Sequence, residues 1–227
     1  MKTNSVKGHA GTKGKLLIVA GYSPGTGKTH FACTMAAKLA QRGNDVVVGY
    51  LNRQRPELAS ILRGFENFRP VIDRLITHNE ALLDVKSVIK RAPDIALVDE
   101  LALPNAFIPG KSMYEGILEL VYSGISVITT VNLQKFYNIN LACAAKTGLK
   151  QKTVIPDRVL TVADKILFLN QPPEVIRRRF IEGRLFSPRQ MQREFLQKYM
   201  ALKTLERNRA VCLKIISQYK NAEIIDF

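Results

Sequence analysis

Short apolar runs alternate with amphipathic stretches along most of the chain. Lys15-Leu-Leu-Ile-Val-Ala20 is almost wholly apolar, partly β-branched and followed by glycine, which predicts a short buried strand. Thr29 to Arg42 then carries Phe31, Met35, Ala36 and Leu39 at helical spacing, and Gly43 supplies a stop. Val46-Val47-Val48 follows at once as a second strand. Strand, helix and strand within about thirty-five residues make a βαβ unit, whose crossover forces the two strands parallel.

The alternation continues. Pro56 to Leu62 reads as a short helix, and Asn79 is placed to cap another that runs to about Arg91. Ile95-Ala-Leu-Val98 is a third strand, ending in Asp99-Glu100. Ser112 and Glu115 have capping-box spacing before an apolar-striped segment that stops near Gly124. Ile125 to Val131 and Lys165 to Leu169 are further strands, and Pro172-Pro173 opens a helix towards Gly183. Ser187-Pro188 with Gln190 then starts a long helix on which Phe195, Tyr199, Leu202 and Leu205 share one stripe. No internal repeat or low-complexity segment interrupts this order.

The join between the first strand and the first helix carries the chemistry. Gly21-Tyr22-Ser23-Pro24-Gly25-Thr26-Gly27-Lys28-Thr29 sits in the strand–loop–helix setting that a phosphate-binding loop requires. Gly25 and Gly27 let consecutive backbone N–H groups turn towards phosphate oxygens, with Pro24 and Thr26 completing the loop. The following helix offers its unpaired N-terminal donors to the same anion. Lys28 can reach the β- and γ-phosphates, and the Thr29 hydroxyl can ligate Mg²⁺. The pattern departs from the usual one in having Tyr22 at the first glycine position, with Gly21 one residue early. Asp99, directly after an apolar strand, is placed to hold Mg²⁺ through its hydration shell, and Glu100 is the candidate for polarising a water. The expected fold is α/β and P-loop NTPase-like, with a mostly parallel sheet and helices on both faces. Residues 1–13 read as a basic tail, 14–186 as the nucleotide-binding domain and 187–227 as a C-terminal helical extension.

Composition narrows the function. A chain of 227 residues that is 46% hydrophobic buries a sizeable core. No apolar run approaches the roughly 18 residues needed to cross a bilayer, and Met1 to Lys15 lacks the apolar core of a signal peptide. A cytoplasmic protein is expected. Cys33, Cys143 and Cys212 form no metal-ligand spacing and read as buried, inert thiols. The net charge of +15 attracts polyanions, but the basic residues are dispersed with few aromatics among them, so nucleic acid is not the expected partner. The densest run, Arg177-Arg178-Arg179, reads as a solvated helix face.

A family resemblance rests on several of these segments together. They are the loop with its shifted Gly21, Val46-Val47-Val48-Gly49-Tyr50, and Leu97-Val98-Asp99-Glu100-Leu101-Ala102 with Asn105-Ala106 beyond it. Further on come Gly124-Ile125 through Thr129-Thr130, Asn132-x-Gln134, Pro156-Asp157-Arg158-Val159-Leu160 with Ala163-Asp164, Pro172-Pro173-Glu174 and Glu182-Gly183. From about Gly14 to Leu213 the chain resembles the N-terminal domain of KdpD, a family of membrane-bound sensor histidine kinases of two-component systems that control potassium uptake. The resemblance implies an ATP-binding regulatory domain that influences the kinase/phosphatase balance of its sensor, and it does not imply phosphotransfer here.

This sequence departs from the family at Asn52-Arg53-Gln54-Arg55, Ala102-Leu103-Pro104-Asn105 and Asn132-Leu133-Gln134-Lys135, where an acid and histidines are replaced, and in the basic loop after the alanine-rich turn, which is rewritten and shorter. ATP and Mg²⁺ are the expected cofactors, with hydrolysis slow or absent. A protein partner or self-association is expected, and so is association with a membrane sensor. After residue 190 only a basic helix and a short tail are expected, so the kinase core is absent from this chain as read. A slow P-loop ATPase, a small-molecule kinase and a nucleic-acid-binding switch stay open as alternatives. No base-reading motif separates ATP from GTP.

Overall fold

The computed structural model describes residues 12–51, 58, 60–67, 71–72, 81–103 and 113–227. Strand β1 (Leu16–Gly21) leads through the glycine-containing loop into helix α1 (Lys28–Gln41), and β2 (Val46–Tyr50) completes the expected βαβ unit. Three two-residue strands follow, β3 (Glu66–Asn67), β4 (Val71–Ile72) and β5 (Ala81–Leu82), and then α2 (Val85–Arg91), β6 (Ile95–Val98), α3 (Met113–Tyr122) and β7 (Ser126–Asn132). A 3-10 turn, Leu133–Lys135, precedes α4 (Tyr137–Thr147), α5 (Arg158–Val162), β8 (Lys165–Asn170) and α6 (Pro173–Ile181). The chain closes with α7 (Pro188–Met191), α8 (Glu194–Tyr199), α9 (Leu202–Ile216) and β9 (Ala222–Asp226).

Seven strands form one parallel sheet in the order β3-β2-β6-β7-β1-β8-β9, while β4 and β5 pair antiparallel apart from it. This is the expected α/β fold. β6 is buried along its whole length, and β2, β7 and β8 along nearly all of theirs, as parallel strands flanked by helices are.

The chain divides into two compact groups, one from Met1–Leu17 and Ala32–Thr129, the other from Ile18–Phe31 and Thr130–Phe227. In the first, Ile117, Leu120 and Val121 of α3 are fully buried with Val47 and Leu97 of the sheet. Gly14 lies so close to the Ile125 backbone that a Cβ there would overlap the Ile125 carbonyl, and its N–H donates to Val121 O at 2.8 Å. In the second, α9 packs against α4 and α6, and Phe136, Ile139, Phe168, Phe180, Leu205 and Ile216 form its core.

Several expectations need correction. The helix expected from Asn79 begins instead after Asp84, whose carboxylate accepts from Ser87 N at 3.0 Å and so caps α2. Asn79 and Ser112 lie outside the described residues, as do positions 56, 57 and 59 of the helix expected from Pro56 to Leu62; its other residues form a 3-10 position at Leu58 and a turn at 60–62 instead of an α-helix. The capping box at Ser187 and Gln190 forms, but the long helix it was expected to start is three helices. The breaks fall at Arg193 and Ala201, both extended. The expected stripe divides accordingly: Tyr199 and Leu205 are buried, whereas Phe195 and Leu202 are exposed. The last residues are not helical at all. They form β9 in parallel register with β8, from Ile166↔Ala222 to Asn170↔Asp226, and Asn221 Nδ2 anchors the strand's entry on Leu160 O and Ala163 O at 3.1 and 2.6 Å.

Candidate functional site

The loop from Gly21 to Thr29 takes its shape from its small residues. A Cβ on Gly21 would overlap Thr26 Oγ1, so no larger residue fits there. Gly25 and Gly27 hold φ of 90° and 89°, the left-handed region that favours glycine. Among the described residues the space in front of Gly27 is open, since a Cβ there would meet none of them within 4 Å. Thr26 Oγ1 donates to Ser23 O at 3.2 Å, and Lys28 Nζ donates to Ser23 O and Thr26 Oγ1 at 3.0 and 3.1 Å. Thr29 is buried and Pro24 half-buried. The first turn of α1 carries no acidic residue, so its positive dipole end is not offset by its own side chains. Gly21, Pro24, Gly25, Thr26, Gly27, Lys28 and Thr29 therefore lie together in one cradle.

Tyr22, at the unusual first position, is an anchor of that cradle. Its ring is fully buried 6.5 Å from that of Phe168, and its hydroxyl donates to Gln171 O at 2.8 Å. Burial pushes its pKa upward, an effect that Arg209 partly offsets. The Tyr22 carbonyl accepts from Gln134 Nε2 at 2.9 Å, and Gln134 Oε1 accepts from the Tyr199 hydroxyl at 2.7 Å. Tyr199 is itself buried and its pKa is raised, chiefly by burial. Ser23 Oγ meets Met200 Sδ at 3.9 Å. The junction of α8 and α9 is thus tied to the start of the loop.

Sequence reasoning missed these ties. Gln134 lies in Asn132-x-Gln134, one of the segments that carry the family resemblance, but nothing local marks Tyr199 as its partner. The arginine run is also different from the expectation. Only Arg178 is exposed. Arg177 donates to Met200 O at 3.3 Å and lies over the Phe180 ring at 5.4 Å. Arg179 Nη1 donates to Gly25 O at 2.5 Å, within the loop.

Asp99 and Glu100 belong to the first group, at the exit of β6. Asp99 is buried, and its N–H donates to Tyr50 O at 2.9 Å. Glu100 holds φ of 60°, a left-handed conformation that costs a non-glycine residue about 1–2 kcal/mol. Such conformations cluster at ligand sites and switches. In the same group the Thr129 hydroxyl, in the middle of β7, is fully buried without a hydrogen-bond partner among the described residues. In the second group Asn132 Oδ1 is left unpartnered in the same way.

Cys33, Cys143 and Cys212 are buried, as expected, and burial raises the Cys212 thiol pKa, with Cys143 hydrogen-bonded beside it. Among the described residues no cluster of three or more His, Cys, Asp or Glu could hold a metal by itself, and no helix is long and apolar enough to cross a membrane. His9, His78, Asn52 to Arg55 and Pro104 to Ala106 lie outside the described residues.

The chain is 35% identical over 187 residues to the sensor protein KdpD of Mycobacterium tuberculosis, covering 79% of this chain and 21% of that protein. Identity to the sensor protein KdpD of Clostridium acetobutylicum is 32% over 217 residues, covering 93% and 24%. For that of Escherichia coli it is 31% over 185 residues, covering 80% and 20%. The chain thus spans about a fifth to a quarter of the length of these relatives. Residues 12–219 match the family described as KdpD, the osmosensitive K⁺ channel His kinase sensor domain. With the match running from before β1 to beyond α9, the chain belongs to the KdpD sensor-domain family.

Proposed function

We propose that this chain is a Mg-ATP-binding regulatory domain that acts in the cytoplasm on a potassium-responsive sensor kinase. The carrying observation is the cradle itself: two glycines at φ of 90° and 89°, Lys28 folded into the loop, and space in front of Gly27 that is open among the described residues, at a helix N-terminus without acids. Those features suit a polyphosphate, because adjacent N–H groups, a dipole end and one ammonium all favour the same anion. Thr29 and Asp99 would hold the Mg²⁺ that accompanies ATP, Thr29 through its hydroxyl and Asp99 through the metal's water shell. Glu100, next to Asp99 and in a strained conformation, is the candidate for orienting a water. Strand C-terminal ends are where ligands bind in open parallel sheets, and both segments leave such ends.

The sensor role is supported by the family, whose members named above are sensor proteins. A membrane sensor, in which this domain resides or with which it associates, is the partner class that follows.

The metal assignment has its own test. Thr29→Val and Asp99→Asn are each expected to weaken ATP binding on the order of tenfold in Mg²⁺, the scale on which metal-site substitutions act, and little in chelator. Calorimetric titration under both conditions reads this. A loss of equal size in chelator would show that the residue contacts phosphate or only supports the fold.

A further inference from the structure

We infer that Arg179 is a second cationic contact for the nucleotide's phosphates, brought to the loop from the last turn of α6; the inference rests on the nucleotide-binding reading above. Its guanidinium donates to Gly25 O at 2.5 Å across 154 positions of sequence, from a half-buried site. That bond engages one N–H of five. Nearby in sequence, Arg184 pairs with Glu182 and Lys198 with Glu194, but among the described residues no carboxylate pairs with Arg179. A carbonyl accepts a hydrogen bond without neutralising a cation, and a partly desolvated guanidinium is best compensated by an anion.

The location selects the anion. Gly25 is one of the two left-handed glycines of the cradle. The chain beyond α6 closes on the same residue, since a Cβ on Gly25 would lie 2.7 Å from Leu185 Cδ1. A phosphate held by the N–H groups around Gly25 would therefore sit beside a guanidinium that still has donors to offer, the geometry in which arginine recognises phosphate well. Its neighbours cannot substitute. Arg177 is engaged with Met200 O and the Phe180 ring, and Arg178 is exposed.

A purely structural arginine, bracing the loop through Gly25 O, makes a different prediction. The test titrates the full chain and its Arg179→Gln and Arg179→Lys variants with ATP, ADP and AMP, alongside thermal melting. Arg179→Gln is expected to lose about tenfold to a hundredfold in ATP and ADP affinity, the scale of a charged hydrogen bond, with AMP much less affected because it lacks the phosphates the loop would hold. Arg179→Lys is expected to recover part of that loss by returning the charge. Wild-type ATP affinity in Arg179→Gln, or an equal loss for all three nucleotides, overturns the inference in favour of a brace. Wild-type protein that does not bind ATP overturns the nucleotide reading itself, and this inference with it. Binding by the wild type that Lys28→Ala abolishes, with Arg179→Gln unaffected, removes only the arginine.

Discussion

Lys28→Ala is expected to lower Mg-ATP affinity by about tenfold to a hundredfold, since a charged donor to phosphate is worth about 1.5–3 kcal/mol. Lys28 is the only lysine in the cradle between Gly21 and Thr29. The side chain is half-buried rather than fully exposed, as the bonds of its Nζ to Ser23 O and Thr26 Oγ1 within the loop require. Losing them is expected to lower stability by about 1 kcal/mol, or about 2–4 °C in melting temperature for a chain of this size. Calorimetry for affinity and thermal melting for the fold separate the two effects. Unchanged ATP affinity in a folded variant would contradict the phosphate-loop assignment.

Gln134→Leu is expected to have the largest effect on stability. Gln134 is buried and bridges the Tyr22 carbonyl to the Tyr199 hydroxyl at 2.9 and 2.7 Å. Leucine fills a similar volume but removes both bonds: the buried Tyr22 carbonyl loses this donor, at about 1–3 kcal/mol, and the Tyr199 hydroxyl is left with Ser23 as its side-chain partner. A loss of about 2–5 kcal/mol follows, read as a fall of about 5–15 °C in melting temperature. Tyr199→Phe removes only one of the two bonds and is expected to cost roughly half as much. Because Tyr22 begins the loop and Tyr199 ends α8, the same variants are expected to weaken nucleotide binding. By linkage, bound nucleotide would then stabilise the α8–α9 junction by as much as that junction supports the loop. Wild-type melting in Gln134→Leu would show that the bridge contributes little.

These two residues show what the sequence could and could not reveal. Lys28 was legible because its chemistry is local: strand, glycines, lysine and helix follow one another, and each constrains the next. The strands were legible for the same reason, since runs such as Val46-Val47-Val48 and Ile95-Ala-Leu-Val98 are buried along their length and need no partner to identify them. Gln134 and Tyr199 meet across 65 positions, and Arg179 reaches Gly25 across 154. No local periodicity encodes either pair. The arginine run read as solvated because spacing does not tell which of three consecutive side chains turns towards a loop. The C-terminal helix was overextended for a related reason: a helical stripe can be written through Phe195, Tyr199, Leu202 and Leu205, yet the extended Ala201 ends it. β9 escaped notice because Ala222–Asp226 is half polar and becomes a strand by pairing with β8.

Binding of Mg-ATP in the Gly21–Thr29 cradle is the proposed activity of this KdpD-family domain. Its most direct test is an equilibrium titration of the full chain with ATP, in Mg²⁺ and in excess chelator, followed by calorimetry. Saturable binding at one site per chain, tighter with Mg²⁺ than without it, is expected. Heats that fail to saturate in Mg²⁺, or saturable binding that ignores the metal, would contradict it.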